Sequence, residues 1–145
     1  LENSDLSVGK IVFKKKEKEL PTKWEDLKIT DGYYVNNFSE IGRIGWARED
    51  SSNKNLFPTK AEAEACLALS QLCQLRDAYN GEPLADWCDW ADIIQCKYVI
   101  LFEKSCIYKG VLYTISVPLA FKTKELRDKF AENFRELIET AKPLL

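Results

Sequence analysis

The chain has 145 residues, 21 Lys and Arg against 23 Asp and Glu, five cysteines, and neither histidine nor methionine. That length suits one domain, which can bury about two-thirds of its unfolded surface without metals or disulfides, and the chain is too apolar for disorder. The missing imidazole excludes Ser-His-Asp and Cys-His catalysis and His-ligated zinc or haem; a net charge of −2 offers no general basic field to nucleic acid phosphates.

The charge is uneven. Residues 1–55 carry ten basic and ten acidic side chains, residues 56–106 four and eight, and residues 107–145 seven and five. Cys66, Cys73, Cys88, Cys96 and Cys106 are odd in number and form no CxxC pair, so they read as free thiols in a reducing cytoplasm rather than as a disulfide framework or zinc site. Cys66 and Cys73 fall on one helical face but about 10 Å apart along it, beyond disulfide reach. No stretch approaches the roughly 20 apolar residues of a membrane span, and Leu1-Glu2-Asn3-Ser4-Asp5 does not read as a signal peptide. A chain without methionine implies an N-terminus set by processing, trimming or cloning.

In chain order, residues 1–22 read as an N-terminal arm or edge strand, with Val8 to Phe13 as a short strand and Lys14–Lys18 as a solvated charge run; residues 23–145 read as a single α+β domain. Thr22 is expected to cap a helical turn with Glu25 three residues on, and Trp24 and Leu27 to pin that turn to the core. Residues 28–47 read as a β-hairpin built on Tyr33-Tyr34-Val35, with Asn36-Asn37 turning the chain. Gly42-Arg43-Ile44-Gly45 reads as a hairpin bend rather than a phosphate loop. Residues 48–55 are a polar loop.

Thr59 followed by Glu62 is a capping box. The run Ala61–Tyr79, free of Gly, Pro and β-branched residues, predicts a helix with an apolar stripe of Ala65, Leu69, Leu72, Cys73 and Tyr79, closed by Asn80-Gly81. Lys97–Phe102 reads as a central strand, Glu103-Lys104-Ser105 as a turn, and Cys106–Ser116 as the returning strand, with Ile107, Val111, Tyr113 and Ile115 on one side of the pleat. Pro118 demotes the stretch after it to an edge or a break. A second helix is expected from Lys124 to about Ala141, capped by Thr123, with a stripe of Leu126, Phe130, Phe134, Leu137, Ile138 and Ala141. Phe57-Pro-Thr-Lys and Phe121-Lys-Thr-Lys echo each other, each closing a strand pair and opening a helix. Duplication or the reuse of a good cap string both account for the echo.

One segment stands apart. Asp86-Trp87-Cys88-Asp89-Trp90-Ala91-Asp92 places three carboxylates and two indoles in seven residues. The Asp spacing of three would put all of them on one face of a helix. Trp87 and Trp90 then plug a gap between helix and sheet over solvated Asp side chains. Alternatively, Asp86, Trp87, Asp89, Trp90 and Asp92 form a ligand platform of stacking rings and hydrogen-bond acceptors. A paired-carboxylate acid and base and a hard-cation site need the Asp side chains to converge. No phosphate-cradling or EF-hand pattern is present, so no metal or cofactor is called for.

The strings Trp24-Glu25-Asp26-Leu27, Gly32-Tyr33-Tyr34-Val35, Phe57-Pro58-Thr59-Lys60-Ala61-Glu62-Ala63-Glu64, Gln74-Leu75-Arg76-Asp77-Ala78-Tyr79 and Phe121-Lys122-Thr123-Lys124 through Leu145 resemble a family of small uncharacterised proteins associated with phages and prophages of gut bacteria. The resemblance spans about residues 23–145. Relatives there carry Pro-Asp-Trp-Thr-Asp-Asp in the loop; Asp86, Trp87 and Asp89 match it and Trp90 departs. The resemblance brings no catalytic motif. It implies a bacterial or phage-encoded intracellular accessory protein.

The expected fold is α+β: an antiparallel sheet of about four to six strands with two long amphipathic helices packed on one face. The expected function is a non-enzymatic protein-interaction module, binding a protein partner or itself and no membrane. The alternatives are a small-ligand or nucleic-acid binder using loop 86–92 and, behind it, a carboxylate-dependent enzyme.

Overall fold

A computed structural model describes Gly9 and residues 20–27, 31–44 and 56–145 of the chain. The expected strand Val8–Phe13, the Lys14–Lys18 run and the polar loop 48–55 lie outside the described residues.

Among the described residues a 3-10 turn, Trp24–Asp26, comes first. Its Asp26 carboxylate, rather than Glu25, accepts from the Thr22 hydroxyl and the Lys23 amide, both at 3.2 Å. Trp24 is 58% exposed rather than enclosed in the core. Strands β1 (Gly32–Val35) and β2 (Ile41–Ile44) form an antiparallel hairpin. Asn36 turns the chain, but by its side chain: Oδ1 accepts from the amides of Phe38 (2.9 Å) and Glu40 (3.0 Å). The positive φ falls instead on Ser39. Gly42 is no bend. It sits within β2 opposite Tyr34, whose ring occupies the space a Cβ would need.

Helix α1 (Lys60–Asn80) begins as its cap predicts, with Thr59 Oγ1 accepting from the Glu62 amide at 3.2 Å. It ends at Gly81 in the left-handed conformation (φ 77°), whose amide donates to Asp77 O. A four-residue helix α2 (Leu84–Trp87) and a run of bends lead to strand β3 (Lys97–Glu103). Lys104 and Ser105, both at positive φ, turn it tightly into β4 (Cys106–Leu112). Positive φ at both central positions is the turn whose twist matches a hairpin, although Gly or Asn usually supplies it. Strand β5 is just Ala120–Phe121, the short element that Pro118 foreshadows.

The second helix bends. Helix α3 (Lys124–Asn133), capped by Thr123 Oγ1 to the Leu126 amide at 3.2 Å, gives way at Phe134 (φ −119°, ψ 26°) to α4 (Arg135–Ala141). Hydrogen bonds continue across the bend, Phe134 N to Phe130 O and Ile138 N to Phe134 O. The Phe134 ring packs against both Tyr79 and Phe130, tying the bend to α1. A final 3-10 turn spans Lys142–Leu144.

The expected single sheet is two small antiparallel sheets among the described residues, β1–β2 and β4–β3–β5. The two are built alike. Tyr33 exchanges both backbone bonds with Phe57 (2.9 and 2.7 Å), adding Phe57 to the side of β1 away from β2. Tyr98 of β3 faces Phe121 of β5 on the side away from β4. Tyr34 is opposite Gly42, and Val99 is opposite Gly110. In each half a hairpin is followed by a returning segment on its first strand, then a threonine cap and a helix. A reused cap string would not by itself reproduce that pairing order.

The core forms where the halves meet. Ala68 and Leu72 of α1 pack with Ile100, Leu119, Phe121, Phe130, Ile138 and Ala141. Small side chains on α1 face large ones on α3 and β5, which is how two layers interdigitate at native density. The α1 stripe runs Ala65, Ala68, Leu72 and then, against expectation, Arg76 and Asn80, both buried. These polar ends hold backbone. Arg76 donates to Pro118 O, and Asn80 brackets β5 by donating to Ala120 O and accepting from the Lys122 amide, both at 3.0 Å. Buried Arg127 of α3 likewise reaches Gly110 O at 2.9 Å. Each buried arginine leans on the next residue's carboxylate, Asp77 or Asp128.

Candidate functional site

The acidic-aromatic segment connects the two halves. Its entry is fixed from α1: Asp77 Oδ1, already holding Arg76, accepts from the Leu84 amide at 3.2 Å, which starts α2 after Pro83. Helix α2 lasts one turn, so Asp86 is helical whereas Asp89 and Asp92 lie beyond it. The shared helical face expected for the three carboxylates therefore does not form.

Asp89 and Asp92 instead build turns. Asp89 Oδ1 accepts from the Ala91 amide at 2.8 Å, and Asp92 Oδ1 accepts from the amides of Ile94 (2.8 Å) and Gln95 (3.2 Å). These are Asx turns, the local use Asp makes of its side chain outside helices. The two backbone amides hold the Asp92 carboxyl below the usual carboxylate range. Gln95 ties the loop to itself by accepting from the Asp89 amide at 2.9 Å and donating to Trp87 O at 2.8 Å.

A general acid would need a carboxyl held neutral beside another. Asp92 moves the opposite way, and Asp86, Asp89 and Asp92 are all exposed. Among the described residues no group of three Cys, Asp or Glu side chains is placed to hold a metal ion.

Trp87 and Trp90 are both half-buried, each beside a lysine. The Lys122 ammonium, ion-paired with Glu82, lies 5.9 Å from the Trp87 ring centre. The Lys97 ammonium lies 5.6 Å from that of Trp90. Trp87 Nε1 is enclosed without an acceptor among the described residues. An enclosed donor of this kind normally costs about 1–3 kcal/mol. Cys88 sits in the same region; burial pushes its thiol pKa up, and Lys97 partly opposes this. All five cysteines are free.

Lys97 organises the corner, and the sequence reading missed it. Fully buried at the start of β3, it donates to Asp92 O and to Tyr113 O, both at 2.8 Å. One ammonium thus stitches the end of the loop to the end of β4. No carboxylate is within ion-pair distance of it among the described residues; backbone carbonyls and an indole face hold it. The only hint in the sequence is a lysine heading an apolar run.

The stitch gathers exposed apolar side chains. Ile93 and Ile94 are 70% and 83% exposed beside the Asp92–Tyr113 junction. Tyr113 and Ile115 continue the surface from the end of β4, at 45% and 63%. Of Ile107, Val111, Tyr113 and Ile115, read as one side of the pleat, Ile107 packs against the core while Val111, Tyr113 and Ile115 are exposed.

No family model, curated protein or solved structure matches the chain. Among the described residues no helix is long and apolar enough to cross a membrane.

Proposed function

We propose that the chain is a non-enzymatic protein-interaction module, with the apolar corner of Ile93, Ile94, Tyr113 and Ile115 at its binding surface. The observation that carries this reading is the exposure of two adjacent isoleucines on a loop held rigid beneath them by Lys97, Asp92 and Gln95. Single exposed apolar residues need no explanation, but a contiguous group marks interaction surfaces. A preorganised loop also binds with less ordering entropy than a floppy one. The kinship with phage-associated accessory proteins of the bacterial cytoplasm belongs to this reading and rests on the quoted sequence strings alone. The test pairs the native chain with an Ile93→Ser, Ile94→Ser variant in co-purification and sedimentation. The expected result is an association, with itself or a partner, that the variant loses. Absence of any association in the native chain sinks the reading.

A second reading has one specific support. Trp87 Nε1 is an enclosed donor without an acceptor among the described residues, on a half-buried indole beside the Lys122 ammonium. A small ligand carrying an acceptor and a flat face, a nucleobase or a sugar, would satisfy both once the neighbours that enclose Nε1 swing aside. Asp86, Asp89, Trp90 and Asp92 would line its approach. Tryptophan fluorescence titrated with nucleosides and monosaccharides checks this, and an unchanged spectrum removes it.

A further inference from the structure

The apolar corner carries charge of one sign. It is drawn from two segments of the chain, 82–96 and 110–121. The first holds Glu82, Asp86, Asp89 and Asp92 and neither lysine nor arginine, and the second holds no charged residue. Asp86, Asp89 and Asp92 are exposed, and none of them has an ion-pair partner among the described residues.

The bases nearby are engaged elsewhere. Lys97 turns its ammonium inward onto the carbonyls of Asp92 and Tyr113. Lys122 pairs with Glu82, and buried Arg76 pairs with Asp77 and holds Pro118 O.

The carboxylates also sit against the apolar side chains. Asp92 Oδ1 accepts from the Ile94 amide, so its carboxylate closes the turn that presents Ile93 and Ile94. The Asp92 amide donates to Asp89 O at 3.3 Å, which brings Asp89 to the same turn. On the other side, the Cys96 thiol donates to the Tyr113 hydroxyl at 3.6 Å and draws the Tyr113 ring toward the isoleucines. The result is an apolar centre with an anionic rim.

That pattern selects among partners. A second copy meeting this corner through a two-fold axis would set carboxylates against carboxylates. A nucleic acid strand or an anionic bilayer brings more negative charge to the same rim. A protein segment that interleaves lysine or arginine with aliphatic side chains answers both parts of the surface. Its aliphatic groups cover the isoleucines, and its cations meet carboxylates that have no ion-pair partner among the described residues. The apolar stems of lysine and arginine suit them to such a boundary.

Building on the interaction reading above, we infer that the corner receives a cationic, aliphatic segment of another protein, seated on Ile93, Ile94, Tyr113 and Ile115 with its bases turned to Asp89 and Asp92. The apolar contact holds the complex, while the carboxylates steer its approach and exclude anionic partners.

The experiment titrates the full chain into a fluorescein-labelled amphipathic peptide of leucine and lysine, and into its leucine and glutamate counterpart, and follows anisotropy. The lysine peptide binds, the glutamate peptide does not, and raising salt from about 0.05 M to about 0.5 M weakens binding by about tenfold. The triple variant Asp86→Asn, Asp89→Asn, Asp92→Asn weakens it by about tenfold or more. Asparagine keeps the Oδ1 acceptor on which both Asx turns depend, and circular dichroism verifies the fold. Failure of the lysine peptide to bind overturns the inference, as does binding that the triple variant or Ile93→Ser, Ile94→Ser leaves unchanged. Tighter binding to vesicles of anionic phospholipid or to a single-stranded oligonucleotide overturns it too. Equal binding of the two peptides, lost in the isoleucine variant, removes the cationic partner and leaves the apolar interaction surface standing.

Discussion

The two halves of the described chain share an order of elements and differ in what holds them. The first half closes its hairpin with a loose turn braced by Asn36 and sends small side chains, Ala63, Ala65 and Ala68, into the core. The second closes with a tight two-residue turn and supplies the bulk: Ile100, Phe121, Phe130 and Ile138. Helix α1 runs unbroken through 21 residues, whereas its counterpart bends at Phe134 to lay α4 along α1. The same topology can therefore carry two different packing roles, one half acting as a flat wall and the other as the filler. Stability should be distributed accordingly.

The largest test of that asymmetry is truncation of the aromatic filler. Phe121→Ala and Phe130→Ala should each cost about 3–5 kcal/mol in urea unfolding, because both rings are fully enclosed. Phe57→Ala, at the matching position of the first half but only half-buried, should cost clearly less. Equal losses would remove the distinction between wall and filler.

Next in size is the stitch at the junction. Lys97→Met leaves the carbonyls of Asp92 and Tyr113 without their donor and should cost about 1–3 kcal/mol. Its signature is local, with the amides of Ile94 and Gln95 exchanging faster than those of α1. A uniform change across the chain would mean that Lys97 supports the core rather than the loop.

The two caps offer a symmetric control. Thr59→Ala and Thr123→Ala each remove one acceptor from a helix N-terminus and should each cost about 1 kcal/mol, with additive effects because the sites share no partner. A large difference between them would break the equivalence of the halves at the one place where their sequences agree best.

The smallest effect concerns pH. The Asp92 carboxyl is held low by the Ile94 and Gln95 amides, and that of Asp128 first by its bond with Arg127. A carboxyl with a lowered folded pKa stabilises at pH above its unfolded value and loses that contribution as pH falls through the folded value. The loop turn should therefore loosen on acidification, seen as a shift of the Ile94 and Gln95 amide resonances. Asp92→Asn, which keeps an acceptor without the charge, should flatten that dependence.

Much of the scaffold was legible in the chain. Both threonine caps, the left-handed stop at Gly81, the central character of β3 and the brevity of β5 come from local chemistry: an oxygen that can cap an amide, a residue without a Cβ, an apolar run, a proline. The readings that changed depend on neighbours distant in sequence. The bend at Phe134 answers to Tyr79, the burial of Arg76, Asn80 and Arg127 to carbonyls 17 to 42 residues away, and the exposure of Val111 to the place of β4 outside β3 in its sheet.

Loop 86–92 shows the same division at the candidate site. Its composition marked it as unusual, and the sequence alone placed its indoles and carboxylates together. Whether three aspartates spaced by three share a face depends on how long the helix persists, and α2 stops after one turn because Asp89 and Asp92 find their own backbone amides first. The amino-acid sequence by itself determined the local elements, because caps, turns and apolar runs are decided within a few residues. Only the tertiary structure decided that a buried lysine would bind the loop to β4 and leave two isoleucines in solvent, because that arrangement depends on carbonyls that flank the two strands of a hairpin and meet only when it closes.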